Sequence, residues 1–141
     1  MEMIELTKEN IGEYIDECME VQQYLLKSDE EIKKDQFIAT ASSTNSYFIA
    51  IIQDARVAGL GVVNQIVHPV RTNAYVDNIV VHPDFRGQGL FSIIMDNLEE
   101  KAKEWGAEGV KLTCSRENVQ GMYEKRGYKE KTTTKYYVKK I

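Results

Sequence analysis

The residues whose types and spacing can do chemistry are concentrated in the stretch Asn78-Ile79-Val80-Val81-His82-Pro83-Asp84-Phe85-Arg86-Gly87-Gln88-Gly89-Leu90-Phe91. It reads as an apolar strand that passes through a short turn and a glycine-bearing segment into a long amphipathic helix. Such a junction leaves main-chain N–H groups free at the positive end of a helix dipole, which is a seat for phosphate. Gly87 and Gly89 let the backbone come close to a ligand because no Cβ intervenes. Arg86 adds a planar fork of donors that suits phosphate oxygens. The expected ligand therefore carries a pyrophosphate. A P-loop is excluded, since no Gly-Lys-Ser/Thr occurs. The dinucleotide fingerprint is excluded as well, because Ser92 stands where its third glycine belongs.

Just upstream, Asp77 and Asn78 sit inside the apolar strand Tyr75-Val76-Asp77-Asn78-Ile79-Val80-Val81. Both residue types are disfavoured in strands, and a carboxylate in a core is costly without a partner, so the pair asks for a reason. A catalytic carboxylate and a hydrogen-bonded structural pair both satisfy that demand. His82, followed by Pro83 at the strand exit, is read as structural rather than as a base. Cys18 and Cys114 are isolated thiols without a CxxC or Cys/His cluster, which is the pattern of reduced, non-ligating residues, and no metal site is indicated.

The segment Arg86-Gly87-Gln88-Gly89-Leu90 resembles motif A of the GNAT superfamily of acyl-CoA-dependent N-acyltransferases, [QR]-x-x-G-x-[GA], with Phe91 where the family prefers Gly or Ala. Farther on, Asn118-Val119-Gln120-Gly121-Met122-Tyr123-Glu124-Lys125-Arg126-Gly127-Tyr128 is similar to motif B, a short helix bearing a Tyr and closed by Gly and an aromatic residue. The resemblance implies acetyl-CoA as acyl donor and a small-molecule primary amine as acceptor, joined by direct attack. It implies that Arg86, Gly87, Gln88, Gly89, Leu90 and Phe91 cradle the pyrophosphate, Phe91 through its N–H. It also implies that main-chain groups of Ile79, Val80 and Val81 pair with the pantetheine arm. Tyr123 would be the acid toward the departing thiolate, a role open to a phenol that need not ionise first. Asp77 would be the base, acting through water, although it is one methylene shorter than the more usual Glu. Asn118 would either cap its helix or reach the cofactor. A homodimer through sheet edges or through the Lys129–Lys139 segment is a further implication. A CoA-binding module without turnover, or an acetyltransferase for a protein amine, is the alternative.

The elements that must position these residues follow from periodicity. Met3 to Leu6 reads as a strand, with Thr7 as N-cap of a helix running to about Leu26. Ser28 or Asp29 is expected to cap a second helix that turns Ile32 and Phe37 inward, and 41–45 reads as a loop. Tyr47–Ile52 and Val57–Val67 form a hairpin about Gln53–Arg56, in which Gly59 and Gly61 suggest a bulge or a close neighbour. The strand Ala74–Val81 leads to a helix with the stripe Leu90, Ile94, Met95, Leu98, Ala102 and Trp105, stopped by Gly106. Strand 109–115, helix 118–126 and strand 129–139 complete the chain. The expected fold is α/β: one domain over residues 1–141, with a mixed, mostly antiparallel sheet flanked by helices. The resemblance adds a splay between strands four and five, where acyl-CoA sits. Substrate selection is expected from the two N-terminal helices and the His68–Asn73 connection, where Arg71 could meet an anion. The acidic first helix, with Glu9, Glu13, Asp16, Glu17 and Glu20, could attract a polyamine or be a solvated face.

Bulk properties agree. The 141 residues suffice for one core, and 43% hydrophobic and 28% charged residues are globular values. A net charge of −4 without a basic tract argues against a nucleic-acid partner. With no apolar run of spanning length and no signal-like N-terminus, the expected location is the cytoplasm, away from membranes.

Overall fold

The computed structural model describes all residues from Met1 to Ile141. Five strands, β1 (Glu2–Glu5), β2 (Ser46–Gln53), β3 (Arg56–Val67), β4 (Thr72–Val81) and β5 (Val110–Lys111), form one sheet in the order β1-β2-β3-β4-β5. The first three pairings are antiparallel, and β4–β5 is parallel. Helices α1 (Ile11–Gln22) and α2 (Lys34–Ser42) precede β2, α3 (Leu90–Glu104) joins β4 to β5, and α4 (Glu117–Lys125) follows β5. No helix is long and apolar enough to cross a membrane.

The sheet is covered on both faces, which is why β2 and β3 read as nearly unbroken apolar runs rather than alternating ones. On one face Ile11, Ile15, Cys18 and Val21 of α1 and Phe37 of α2 meet Phe48, Leu60 and Val80. On the other, Leu90, Ile94, Met95, Leu98 and Ala102 of α3 meet Ile49, Ile51, Val63 and Val76. Glycine makes the second contact close: a Cβ on Gly61 would collide with Ile94 Cγ2 and lie 3.0 Å from Ile79 Cδ1. The β2–β3 turn places Asp54 (φ 53°) and Ala55 (φ 58°) in the left-handed region, the backbone of a two-residue hairpin loop. Gly106 (φ 72°) ends α3 as expected, with Ala107 N–H bonding to the Ala102 carbonyl and Gly106 N–H to that of Lys103.

Several expected boundaries move. Thr7 does not cap α1; its N–H donates to Asn10 Oδ1 in a turn, and the helix starts at Ile11. A 3-10 turn, Gln23–Leu25, replaces the expected last helical turn. Ser28 and Asp29 lie outside α2, which begins at Lys34 and continues through part of the expected loop to Ser42. The fifth strand is paired only at Ala74–Val110 and Tyr75–Lys111. The expected strand 129–139 is absent: the segment bends at 132–134, joins no strand of the sheet and is exposed throughout, with no apolar face buried to hold it in the ladder.

Candidate active site

The short β5 creates the site. Beyond Tyr75 the edge of β4 that faces β5 has no partner strand, and a cleft of ≈ 920 Å³ opens between it and residues 112–116 with α4. That volume lies in the range of small-molecule and cofactor sites, about 300–1,000 Å³. Asp77, Ile79, Val80, Val81, Arg86, Gly87, Gly89, Leu90, Phe91, Asn118 and Tyr123 all line it. Gln88 does not. Its side chain points away and accepts from Gln53 Nε2 at 2.7 Å, so only its main chain is available to a ligand.

At one end of the cleft the chain turns into α3 through Gly87 (φ 79°) and Gly89 (φ 80°). No atom lies within 4 Å of a Cβ built at either position, so these glycines serve the left-handed backbone and an open face. Gly89 occupies the N-cap without a side-chain bond. From Gly87 to Ser92 none of the backbone N–H groups has a partner within the chain. Six donors in succession at a positive helix end form a seat for a phosphorylated ligand. Arg86 stands beside them, its Nε–H bonded to the Val81 carbonyl at 3.0 Å.

Phe91 departs from the motif without filling this seat. Its ring meets the Tyr123 ring edge-on at 5.3 Å, and Tyr123 meets Tyr128 in the same way at 5.8 Å. Tyr128 Oη donates to Glu99 at 2.7 Å, and Arg126 pairs with Asp96 and Glu99, so α4 is stapled to α3. Tyr123 is thereby fixed over the cleft. Burial first, then the nearby Cys114 and Asp77, push its phenol up to about 12, so it stays protonated. Asn118 lies in the first turn of α4 and lines the cleft; it caps nothing, since the N-cap is Arg116.

The polar pair inside β4 has a structural reason. Asn78 adopts φ 55°, and it and Ile79 together oppose the single residue Gly61, which is a β-bulge. A left-handed residue costs roughly 1–2 kcal/mol for most side chains, and Asn is among those that tolerate it. Asn78 N–H donates to Asp77 Oδ1 at 2.8 Å, and the Asn78 and Gln22 amides exchange two bonds of 2.7 Å each. Asp77 is exposed to the cleft rather than buried. A second pocket of ≈ 430 Å³ adjoins, sharing Gln22, Glu30, Asp77 and Asn78 with the cleft.

Other candidates lie outside the two pockets. The His68–Asn73 connection lies at the far end of the sheet and lines neither pocket, and Arg71 pairs with Glu108 at 3.4 Å. The two N-terminal helices do contribute as expected: Gln22 of α1, the segment after it, and Gln36, Phe37 and Thr40 of α2 wall the second pocket. None of the acidic residues Glu9, Glu13, Asp16, Glu17 and Glu20 reaches either pocket; Glu17 accepts the Val57 N–H. His82 is structural: Nδ1 accepts from Asp84 N–H at 3.0 Å, and the ring is buried against Tyr24. Among the cleft residues that neither motif contains are Gln22 and Arg116, the latter reaching across to the Leu25 carbonyl. Only the unexplained Asn78 pointed toward the first of them.

Comparison with known proteins agrees with this geometry. Residues 8–128 match the model of the Acetyltransferase (GNAT) family. A Bacillus subtilis (strain 168) protein, the uncharacterized N-acetyltransferase YdgE, is 32% identical over 90 residues. That match covers 61% of this chain and 57% of the relative, so the chain spans little more than half the relative's length. Among solved structures, the glucosamine-6-phosphate N-acetyltransferase of Arabidopsis thaliana superposes with a TM-score of 0.78 at 19% identity, over 97% of both chains. The ribosomal-protein-alanine N-acetyltransferase of Brucella melitensis biovar Abortus 2308 does so at 0.75 and 18%, over 100% of both. At these identities the likeness is one of fold.

Proposed function

The chain belongs to the GNAT acetyltransferase family, and on that premise we propose that it transfers an acetyl group from acetyl-CoA to the primary amine of a small molecule. The observation that carries this reading is the run of unpartnered N–H groups from Gly87 to Ser92 at one end of a groove that also holds Tyr123 and Asp77. The pyrophosphate sits on those donors and Arg86. The pantetheine arm lies along the free edge of β4 at Ile79, Val80 and Val81, with Asn118 on the opposite wall, and brings the thioester to Tyr123.

In the reaction the amine must first lose its ammonium proton, which passes through a bridging water to the Asp77 carboxylate. The nitrogen lone pair then attacks the thioester carbon, forming the C–N bond, and the C–S bond breaks with its electrons leaving on sulfur. A thiol ionises near 8.5 in ordinary surroundings, whereas Tyr123 is held at about 12. Outright donation from the phenol to the thiolate is therefore uphill. Tyr123 acts as a relay, its O–H bonded to the sulfur while its oxygen takes the second proton from the acylated nitrogen.

The acceptor is read from the adjoining pocket. Glu30, Glu31 and Asp77 outnumber Lys33 on its walls, and Leu26, Ile32 and Phe37 supply an apolar side. A volume of ≈ 430 Å³ suits a small cationic amine. The proteins of similar fold include one named for an amino sugar phosphate and one for a protein amine, so the fold leaves the acceptor to this pocket. A second copy of the chain is the other proposed partner, through the exposed segment 129–141.

The test is thiol release from acetyl-CoA with a panel of small amines and, separately, peptides with free N-termini. Amine-dependent release with the small cationic compounds supports the reading. Acetyl-CoA binding without release would make the protein a sensor, and release with peptides alone would reassign the acceptor.

A further inference from the structure

We infer that Gln22 is a positioning residue for acetyl transfer: its paired hydrogen bonds to Asn78 hold the left-handed kink of β4 on which alignment of the thioester with the amine depends. The inference rests on the acyltransferase reading above and adds to it a residue from the N-terminal helix that neither motif contains.

Three observations converge. Asn78 is the only non-glycine residue in the interior of a strand with a positive φ, and it lies at the bulge where β4 turns from its pairing with β5 to the open groove. The bond between it and Gln22 is double and reciprocal, 2.7 Å in each direction, and spans 56 positions of sequence. Both residues line the acyl-CoA cleft and the acceptor pocket, so the bridge stands where the two substrates must meet.

A neutral amide pair open to a wet cleft contributes little to stability, because water competes for both partners. It does fix geometry. With the Asn78 side chain held, its N–H points to Asp77 Oδ1 and sets that carboxylate. One bridge from α1 thus orients both the backbone beside the thioester and the acid that faces the amine. Asn tolerates this conformation less freely than glycine, which adopts it without a steric cost.

That difference gives the test. Thiol release with the best amine, and acetyl-CoA affinity by calorimetry, are measured on the full chain for Gln22→Ala, Asn78→Gly and the double variant. Gln22→Ala is expected to lower kcat about tenfold while leaving acetyl-CoA affinity within about twofold, the split of a group that acts on the transition state rather than on binding. Asn78→Gly breaks the bridge from its other end but takes the kink unaided, so it should lose no more than Gln22→Ala does, and in that background removal of Gln22 should cost less than about twofold. Unchanged kcat in Gln22→Ala would overturn the inference. Equal losses in both backgrounds would do so too, making Gln22 a substrate contact, as would an inactive Asn78→Gly. A wild-type protein without amine-dependent release would instead sink the acyltransferase reading itself.

Discussion

Tyr123 is the side chain to which the proposed mechanism gives the proton relay. Removing its hydroxyl as Tyr123→Phe keeps the ring contacts with Phe91 and Tyr128, so acetyl-CoA affinity should hold. The rate should fall by about a hundredfold, the low end for loss of a positioned proton donor, and steady-state kinetics beside calorimetry would separate the two. With its phenol at about 12, Tyr123 keeps its proton across the neutral and mildly alkaline range. No falling limb of kcat below about pH 10, the ordinary tyrosine value, should come from it. The same shift has a stability sign. The fold favours the neutral phenol, so its contribution is complete below the ordinary value of 10.0 and is lost as pH rises toward about 12. The buried Cys18 thiol, raised from 9.0 to about 12, works in the same direction. Melting temperature should therefore decline above about pH 9, and Cys18→Ala should make the decline shallower; a flat profile would contradict these assignments. Gly89→Ala asks a different question. With no atom near the added Cβ, its cost is the left-handed backbone alone, roughly 1–2 kcal/mol, and acetyl-CoA should bind more weakly as the N–H groups lose their aim.

Helix α3 couples the core to the phosphate seat. Gly61 lets Ile94 and Leu98 lie against β3, and a Cβ there would also sit 3.2 Å from Leu98 Cδ1. Gly61→Ala should destabilise the protein by about 1–3 kcal/mol, the usual penalty of overpacking, read by thermal or denaturant unfolding. It should weaken acetyl-CoA as well, because α3 cannot move without moving Gly87–Ser92; full stability and full affinity would show that α3 has slack. What could be read beforehand divides along local and non-local lines. The hairpin, the stripe of α3, its Gly106 stop and the glycine-fed N-terminus are signals carried within a few residues, and the structure has them. The C-terminal end of α1 and the start of α2 were misplaced because 27–33 is a turn fixed by contacts such as Lys27 N–H to Glu30 rather than by the expected caps. The Gln22–Asn78 bridge joins positions 56 apart, so only its symptom, an Asn in a strand, was visible. The general tendency of loops to select ligands points to the His68–Asn73 connection, but strand direction puts it at the end of β4 away from the cleft.

At the scale of the whole molecule, the C-terminal segment is what one copy of the chain leaves unfinished. Tyr136, Tyr137, Val138 and Ile141 are exposed on a stretch that joins no strand, and β5 presents an open edge. Tyr136 also lines the cleft. Exchange of this segment between two copies would cover both features, so light scattering should give a dimer. Replacement of Tyr137 and Val138 by Ser should shift it toward monomer, and a monomeric wild type would contradict the exchange. Everything else depends on the cleft holding acyl-CoA by its phosphates. Calorimetric titration with acetyl-CoA, run beside S-acetylpantetheine, tests that most directly. Micromolar binding of acetyl-CoA, with at least about a hundredfold loss when the nucleotide and pyrophosphate are missing, is the predicted result. Equal affinity for the two, or no binding of acetyl-CoA by folded protein, would contradict it.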